Sequence, residues 1–444
     1  MGFKLVFTDL QEQTASADAA VFENTIEPTD EQQTEIDKVI EWYESGNTRP
    51  FWFAGAAGTG KSSCLPVIIN QLGIQGSYEI CAPSNKAVGV LRQKGFQNAT
   101  TVAKIARTAR IDGPLASRFK TLSNQLDIEK AAKNKNAVKE IFKELSEMRL
   151  SGDVYWTNVA KNDGRMDLIV VDEASMLGLS DLKALMATGS PILLIGDKNQ
   201  LPAVNEKSAL EGKKPHAELT TILRQTGPGS ILTAAGECLK NARYNFEDYR
   251  LGETVTNGDQ SVTKIAKDEF MEADQYLAYT NSQCFRHIEK ARAGKPSIPV
   301  EGDRLLAYSS SGSIVKSQIY TVLECEEDGL GFLNVKLHDE TGEIPVPIET
   351  SCPKNVFNKS HSDKARLELL GQSSKENSAP GILEINTFYY ADCITVHKSQ
   401  GSEFNSVGFY LPVVNFYSKI NFEDLKKIKY TAITRAKEHL IVLV

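Results

Sequence analysis

A chain of 444 residues with 41% hydrophobic content has enough apolar surface for two or more cores, yet no apolar run long enough to span a bilayer. The start, Met1 to Val6, lacks the length and flanks of a secretion signal, so a cytoplasmic location is expected, the host cytoplasm for a viral source, with no membrane partner. A formal charge of −7 argues against indiscriminate coating of nucleic acid, and seven scattered cysteines without a C-x-x-C pair argue against structural zinc and a disulfide framework.

In chain order, the first strong signal is an apolar strand at 51–54 that runs into Gly55, Ala56, Ala57, Gly58, Thr59, Gly60, Lys61 and Ser62, a G-x-x-x-x-G-K-S string followed by Ser63. Glycines at this spacing let backbone N–H groups turn around a β-phosphate at a helix start; Lys61 supplies a cation and Ser62 a hydroxyl for Mg²⁺. A glycine-rich turn with a chance lysine is the plainer alternative. The stretch 127–150 has an amphipathic helical pattern, with Val138, Ile141, Phe142, Leu145 and Met148 on one stripe.

The all-apolar run 168–171 predicts a strand buried on both faces, ending at Asp172 and Glu173. Two carboxylates at a strand tip suit a metal and a water: Asp172 for Mg²⁺, Glu173 for the attacking water. An acidic pair capping the next helix is the alternative. A third strand at 191–195 is followed by Gln200, a candidate γ-phosphate sensor. Arg224 and Arg435 each sit among apolar or small residues, where a guanidinium needs an anion: a γ-phosphate, or a structural salt-bridge partner. Further strands are expected at 275–279, 388–396, 406–411 and 440–444. Between about 301 and 381 the texture changes to short β runs at 304–308, 319–323 and 332–337 separated by turns, which predicts a small β-barrel.

The ordered set Thr29-x-x-Gln32, the 55–62 cradle, Ala82-Pro83-Ser84-Asn85, Asp172-Glu173-Ala174-Ser175, Gly196-Asp197 to Gln200-Leu201-Pro202, Leu223-Arg224-Gln225, Thr395-Val396-His397-Lys398-Ser399-Gln400-Gly401-Ser402-Glu403-Phe404 and Tyr430 to Arg435 resembles a superfamily 1 helicase. The T-V-H-K-S-Q-G-S-E-F string and the Y-T-A-I-T-R-A ending are most similar to the RecD-like branch, superfamily 1B, which includes the Dda-type phage helicases. The resemblance implies that Gln32 reads adenine, that Lys61, Ser62 and Asp172 hold phosphate and Mg²⁺, and that Gln200, Arg224 and Arg435 sense the γ-phosphate. Pro83, Ser84, Asn85, Thr395, His397, Lys398 and Ser399 would lie along single-stranded nucleic acid. Gln400, Gly401 and Glu403 would relay nucleotide state to that track, Gly401 and Glu403 from the ATP pocket. Relatives tend to have Thr-Ile-His where this chain has Thr101-Val102-Ala103, so Lys104 is read as the substitute phosphate contact, in a groove shared with Lys86 and Lys398.

The expected architecture is α/β: two RecA-like P-loop motor domains, an accessory insertion in the first and an SH3-like barrel in the second. The boundaries are 1–104 and 166–220 for the first motor domain, 105–165 for the accessory insertion, 221–300 and 382–444 for the second motor domain, and 301–381 for the barrel. Tyr155 and Trp156 are candidates for a strand-separating pin, or for packing the insertion onto the body. The implied activity is ATP hydrolysis driving 5′-to-3′ movement on single-stranded DNA and duplex unwinding by a monomer, with forked DNA and a single-strand-binding protein as partners in replication, recombination or repair. A strand translocase or remodeller, an RNA helicase, a P-loop ATPase acting on protein assemblies and a non-catalytic nucleic-acid-binding module stay open as alternatives.

Overall fold

The computed structural model describes residues 27–74, 78–106, 108–111, 121–122, 125, 154–157, 166–203, 207–223, 227, 229–308, 313–327, 331–340, 346–357, 365, 386–412 and 421–444, with 108–111 and 154–157 as backbone. The amphipathic stretch 127–150 lies outside the described residues. Two compact units divide the chain: Met1–Ala20, Ala106–Lys161 and Pro296–Tyr390 form one; Val21–Ile105, Asn162–Lys295 and Ala391–Val444 form the other.

From helix α1 (Asp30–Glu44) the chain passes through β1 (Phe51–Gly55), α2 (Cys64–Leu72), β2 (Tyr78–Ala82), α3 (Asn85–Gln93), β3 (Thr100–Thr101) and α4 (Val102–Ala106). It then enters an antiparallel ribbon of β4 (Thr108–Ile111) and β5 (Val154–Thr157), and returns through β6 (Leu168–Val171), α5 (Leu179–Met186), β7 (Ile192–Gly196) and β8 (Ala217–Leu219). The described strands of this first sheet run in the order β3-β2-β6-β7-β1-β8, all parallel. Strands β1, β6 and β7 are buried along their whole length, as a parallel sheet covered by helices on both faces requires. Helix α1 starts at a capping box, in which the Thr29 hydroxyl accepts from the Gln32 N–H and the Gln32 carbonyl Oε1 from the Thr29 N–H. Its Ile36 and Val39 pack with Phe53, Leu65 and Ile68 in the core.

The same unit continues with α6 (Ile231–Lys240), β9 (Thr254–Asn257), β10 (Gln260–Ile265), β11 (Gln275–Ala278) and α7 (Asn281–Ala291). The other unit follows with β12 (Arg304–Ala307), β13 (Ile319–Glu327), β14 (Phe332–Asp339), β15 (Ile348–Pro353) and β16 (Phe388–Tyr390). The chain ends with β17 (Cys393–Thr395), α8 (Val396–Ser399), β18 (Phe404–Tyr410), α9 (Phe422–Ile433) and β19 (Ala436–Leu443). The second sheet has the order β17-β11-β18-β19-β10-β9, parallel except for β9. Strands β15-β14-β13-β12-β16 make an antiparallel sheet, and just before β16 the Asn386 N–H donates to the Ser351 carbonyl of β15 at 2.8 Å.

One expected strand, 388–396, is two: β16 pairs with β12 in the antiparallel sheet, whereas β17 pairs with β11 in the second parallel sheet. The change of sheet falls at Ala391-Asp392, where one charged residue interrupts an otherwise strand-like run. The β9–β10 hairpin was not expected, although its two-residue loop, Gly258-Asp259, carries a Gly-Asp turn signal, with Gly258 at φ 56°. No described helix is long and apolar enough to cross a membrane.

Candidate nucleotide-binding site

The site grows from the tips of β1, β6 and β7. Beyond β1 the chain turns through Gly58 (φ 82°) and Gly60 (φ 80°), both left-handed, into a short helical turn at Lys61–Ser63 that leads to α2. A Cβ on Gly60 would stand 2.6 Å from Gln32 Nε2. The loop is braced internally by the Thr59 hydroxyl, which donates to the Ala56 carbonyl at 2.9 Å, and externally by Gln32 Nε2, which donates to the Thr59 carbonyl at 3.1 Å. Gln32 is buried, and its amide oxygen accepts from the Thr29 N–H, so the side chain staples α1 to the loop.

Beyond β6, Asp172 accepts a bond from the Glu173 N–H at 2.9 Å. Burial pushes its carboxyl up from the ordinary carboxylate value, as does the adjacent Glu173; Lys94, the Glu173 N–H and Lys61 pull it back. Glu173 has φ 52°, a left-handed conformation rare for a residue with a long side chain, and its Oε2 is buried without a hydrogen-bond partner. Beyond β7, Gln200 is buried with Oε1 likewise unpartnered. Such orphaned acceptors are costly to keep in a fold unless a ligand or water completes them.

The second sheet supplies the opposite wall. Arg435, 4% exposed, donates from Nε to the Thr431 carbonyl and from Nη1 to the Ser402 carbonyl, both at 3.1 Å. A cavity of about 560 Å³ is lined by Lys61, Ser62, Asp172, Glu173 and Gln200 from the first sheet and by Gly401, Glu403, Thr434 and Arg435 from the second. That volume suits a nucleotide-sized ligand. Ala57, Gly58, Gly60 and Ser63 also line it, whereas Arg224 lies outside the described residues; its neighbour Leu223 lines the cavity and donates its N–H to the Gly58 carbonyl.

Four residues here were not singled out in the sequence. Lys94 and Lys437 add cations to the cavity wall, in no motif that would have flagged them. Tyr430, from α9, donates its hydroxyl to Asp197 Oδ2 at 2.6 Å and accepts from the Ala57 N–H at 2.8 Å. Both residues lie inside motif segments, 196–202 and 430–435, but their pairing across the cleft is visible only in three dimensions. Burial, then the Asp197 charge, drives the Tyr430 phenol well above its usual range.

The candidate strand contacts collect at the carboxyl ends of both sheets. Pro83, Ser84, Asn85 and Lys86 follow β2; Thr101 ends β3, in register with Ala82; Lys104 lies on α4. Thr395 ends β17, in register with Ala278, and His397, Lys398 and Ser399 belong to α8. The His397 ring lies 6.0 Å from that of Tyr279. Ser84 caps α3, its hydroxyl accepting from the Ala87 N–H at 3.2 Å. Ser399 is fully buried with its hydroxyl donated to the Val396 carbonyl, so it braces α8 and presents no surface to a ligand. Lys86 Nζ donates to the Lys398 carbonyl at 3.1 Å, joining the two sets. Tyr155 and Trp156 lie within β5, paired with Arg110 and Ala109.

A P-loop on one parallel sheet facing an arginine from a second parallel sheet defines a P-loop nucleotide-binding protein built from two RecA-like sheets. A family model described as an AAA domain matches residues 29–259, over half of the chain, and a UvrD-like helicase C-terminal domain model matches 390–443. The chain belongs to this AAA-domain family and resembles superfamily 1B helicases of the RecD type.

Among curated relatives, the RecBCD enzyme subunit RecD of Buchnera aphidicola subsp. Schizaphis graminum is 27% identical over 328 residues, covering 62% of this chain and 53% of that one. The ATP-dependent RecD2 DNA helicase of Deinococcus radiodurans is 34% identical over 106 residues, 22% of this chain and 15% of that one. The chain thus spans about half the length of the RecD relative. Among solved structures, Pif1 helicases at forked double-stranded DNA match with a TM-score of 0.51 at 15% identity, over 94% of this chain and 92% of that one. Pif1 from Bacteroides with ADP-AlF3 and single-stranded DNA matches with a TM-score of 0.50 over the same shares, also at 15% identity. At that identity the likeness speaks for the fold.

Proposed function

We propose that the chain is an ATP-dependent DNA helicase that hydrolyses ATP with Mg²⁺ to move 5′ to 3′ along single-stranded DNA and to separate the duplex ahead. The observation that carries this reading is a cavity walled by both sheets, with the P-loop and carboxylates on one side and Arg435 on the other. The RecD2 relative is named as an ATP-dependent DNA helicase, and the two Pif1 structures are described with forked or single-stranded DNA, which supports DNA as the track.

In this mechanism Lys61 and the loop N–H groups hold the β- and γ-phosphates. The buried Asp172 carboxyl and the orphaned Glu173 and Gln200 oxygens at one cavity fit a dication with its water. Ser62 and Asp172 would hold a Mg²⁺ there, which would supply neutralisation of the phosphate charge. Glu173 takes the proton of the attacking water, Gln200 orients that water at the γ-phosphate, and Arg435 with Arg224 stabilises the charge that develops. Loss of the γ-phosphate removes the bridge between the walls and the cleft opens. Each sheet grips the strand through its own carboxyl-end residues, so alternating closure moves the protein along it.

Under this reading the antiparallel sheet with β15 and β16 joined near their ends is an SH3-like barrel inserted in the second motor domain, and 105–165 is an accessory insertion carrying the pin. Forked DNA and a single-strand-binding protein are the partners, with the chain acting as a monomer. The test is unwinding of 5′-tailed against 3′-tailed DNA duplexes with ATP. We expect opening of the 5′-tailed substrate alone, lost in Lys61→Ala; equal activity of that variant would overturn the site, and 3′-tail preference the direction.

A further inference from the structure

The second wall of the pocket must be registered against the first before Arg435 can serve a phosphate, and the contact that does so is a hydroxyl. Tyr430 is 3% exposed and Asp197 fully buried, and each meets the other across the cleft between the sheets. A phenol has one proton to give. Here it goes to Asp197, leaving the oxygen to accept from the Ala57 N–H, the third position of the P-loop. The result is a polarised chain from loop amide to phenol to carboxylate, in surroundings where each bond strengthens the next.

Its mechanical consequence follows from what else α9 carries. Thr431, the next residue, accepts the Leu201 N–H on its hydroxyl at 3.1 Å, and its carbonyl accepts from Arg435 Nε. The arginine is therefore tied to the same turn of helix that Tyr430 pins to the P-loop. We infer that the Tyr430 hydroxyl, through Asp197 and the Ala57 N–H, is the positioning group that sets Arg435 against the phosphate pocket. This rests on the ATPase reading of the site and adds to it a residue that touches neither phosphate nor water.

Tyr430→Phe keeps the ring and deletes the bridge. In the full chain with single-stranded DNA, kcat for ATP should fall about 10- to 100-fold, as a displaced catalytic group costs, while KM changes less than about threefold. On an Arg435→Ala background the same substitution should cost nothing further, because both act through one guanidinium. Asp197→Asn, which removes the charge that orients the phenol, should repeat the pattern and provides the test if the phenylalanine variant folds poorly. Wild-type kcat in Tyr430→Phe, or losses that multiply in the double variant, would overturn the inference while leaving the ATPase reading intact. A wild-type chain that turns over no ATP would overturn both.

Discussion

Glu173 carries two local costs at one position. Its left-handed backbone is worth about 1–3 kcal/mol of strain in a residue of this kind, and its buried, unpartnered Oε2 adds about 1–3 kcal/mol of uncompensated desolvation. Such a combination persists where it serves chemistry. Glu173→Gly removes both costs and returns about 0.5–1 kcal/mol as backbone entropy, so the variant should be more stable than wild type, by about 1 kcal/mol or more in urea unfolding. The same variant should lose about 100-fold or more in ATP turnover, for want of the base. A destabilised, inactive variant would mean that Glu173 holds the turn together and does no work on water. The Asp172-Glu173 pair was legible in sequence because it depends on a local pattern, an apolar run ending in two carboxylates. The left-handed turn was not, since no glycine or asparagine announces it.

Helices and strands repeat that division. Elements whose signal is local, such as the apolar strands β1, β6 and β7, could be read in advance. Which sheet a short apolar run joins could not: Phe388–Tyr390 and Cys393–Thr395 are equally strand-like, and partners far along the chain decide between them. The same dependence on distant partners shows in α7, which rests on β11 and β18 through His287. Its Nδ1 meets the Tyr410 hydroxyl at 2.8 Å and its ring lies 4.0 Å from that of Tyr276. Burial, with a smaller contribution from Lys290, lowers this imidazole from 6.5 to about 4. A histidine depressed in the fold contributes stability that is present above its unfolded value and lost as pH falls through the folded one. The relevant window is therefore pH 6.5 down to about 4. Across it wild type should lose about 3 kcal/mol of unfolding free energy from this group alone. His287→Gln, which can still bond Tyr410 but does not titrate, should show a correspondingly flatter profile in denaturant titrations at a series of pH values. An unchanged slope would remove His287 as its source.

At the scale of the whole molecule, the proposed function requires an overall charge of −7 to coexist with a grip on a polyanion. Under that proposal the resolution would lie in placement: Lys86 and Lys398, the latter with its ammonium buried, come from the carboxyl ends of two different sheets, and Lys104 follows the tip of β3. Three phosphate contacts on a single strand give a slope of log K against log salt of about −2, because each neutralised phosphate releases about 0.7 of a counter-ion. Between 50 and 200 mM salt, binding should then weaken about 16-fold, measured by anisotropy of a labelled oligonucleotide. A general acidic repulsion would change affinity with salt in the opposite sense. Lys86 also ties the two sets together, its ammonium resting on the Lys398 carbonyl, so a phosphate at that position must compete with this bond. Lys86→Ala should therefore reduce the slope to about −1.4 with a smaller loss of affinity at low salt than Lys398→Ala, since it also removes the competing contact. Equal losses for the two lysines, with an unchanged slope, would place the strand elsewhere on the molecule.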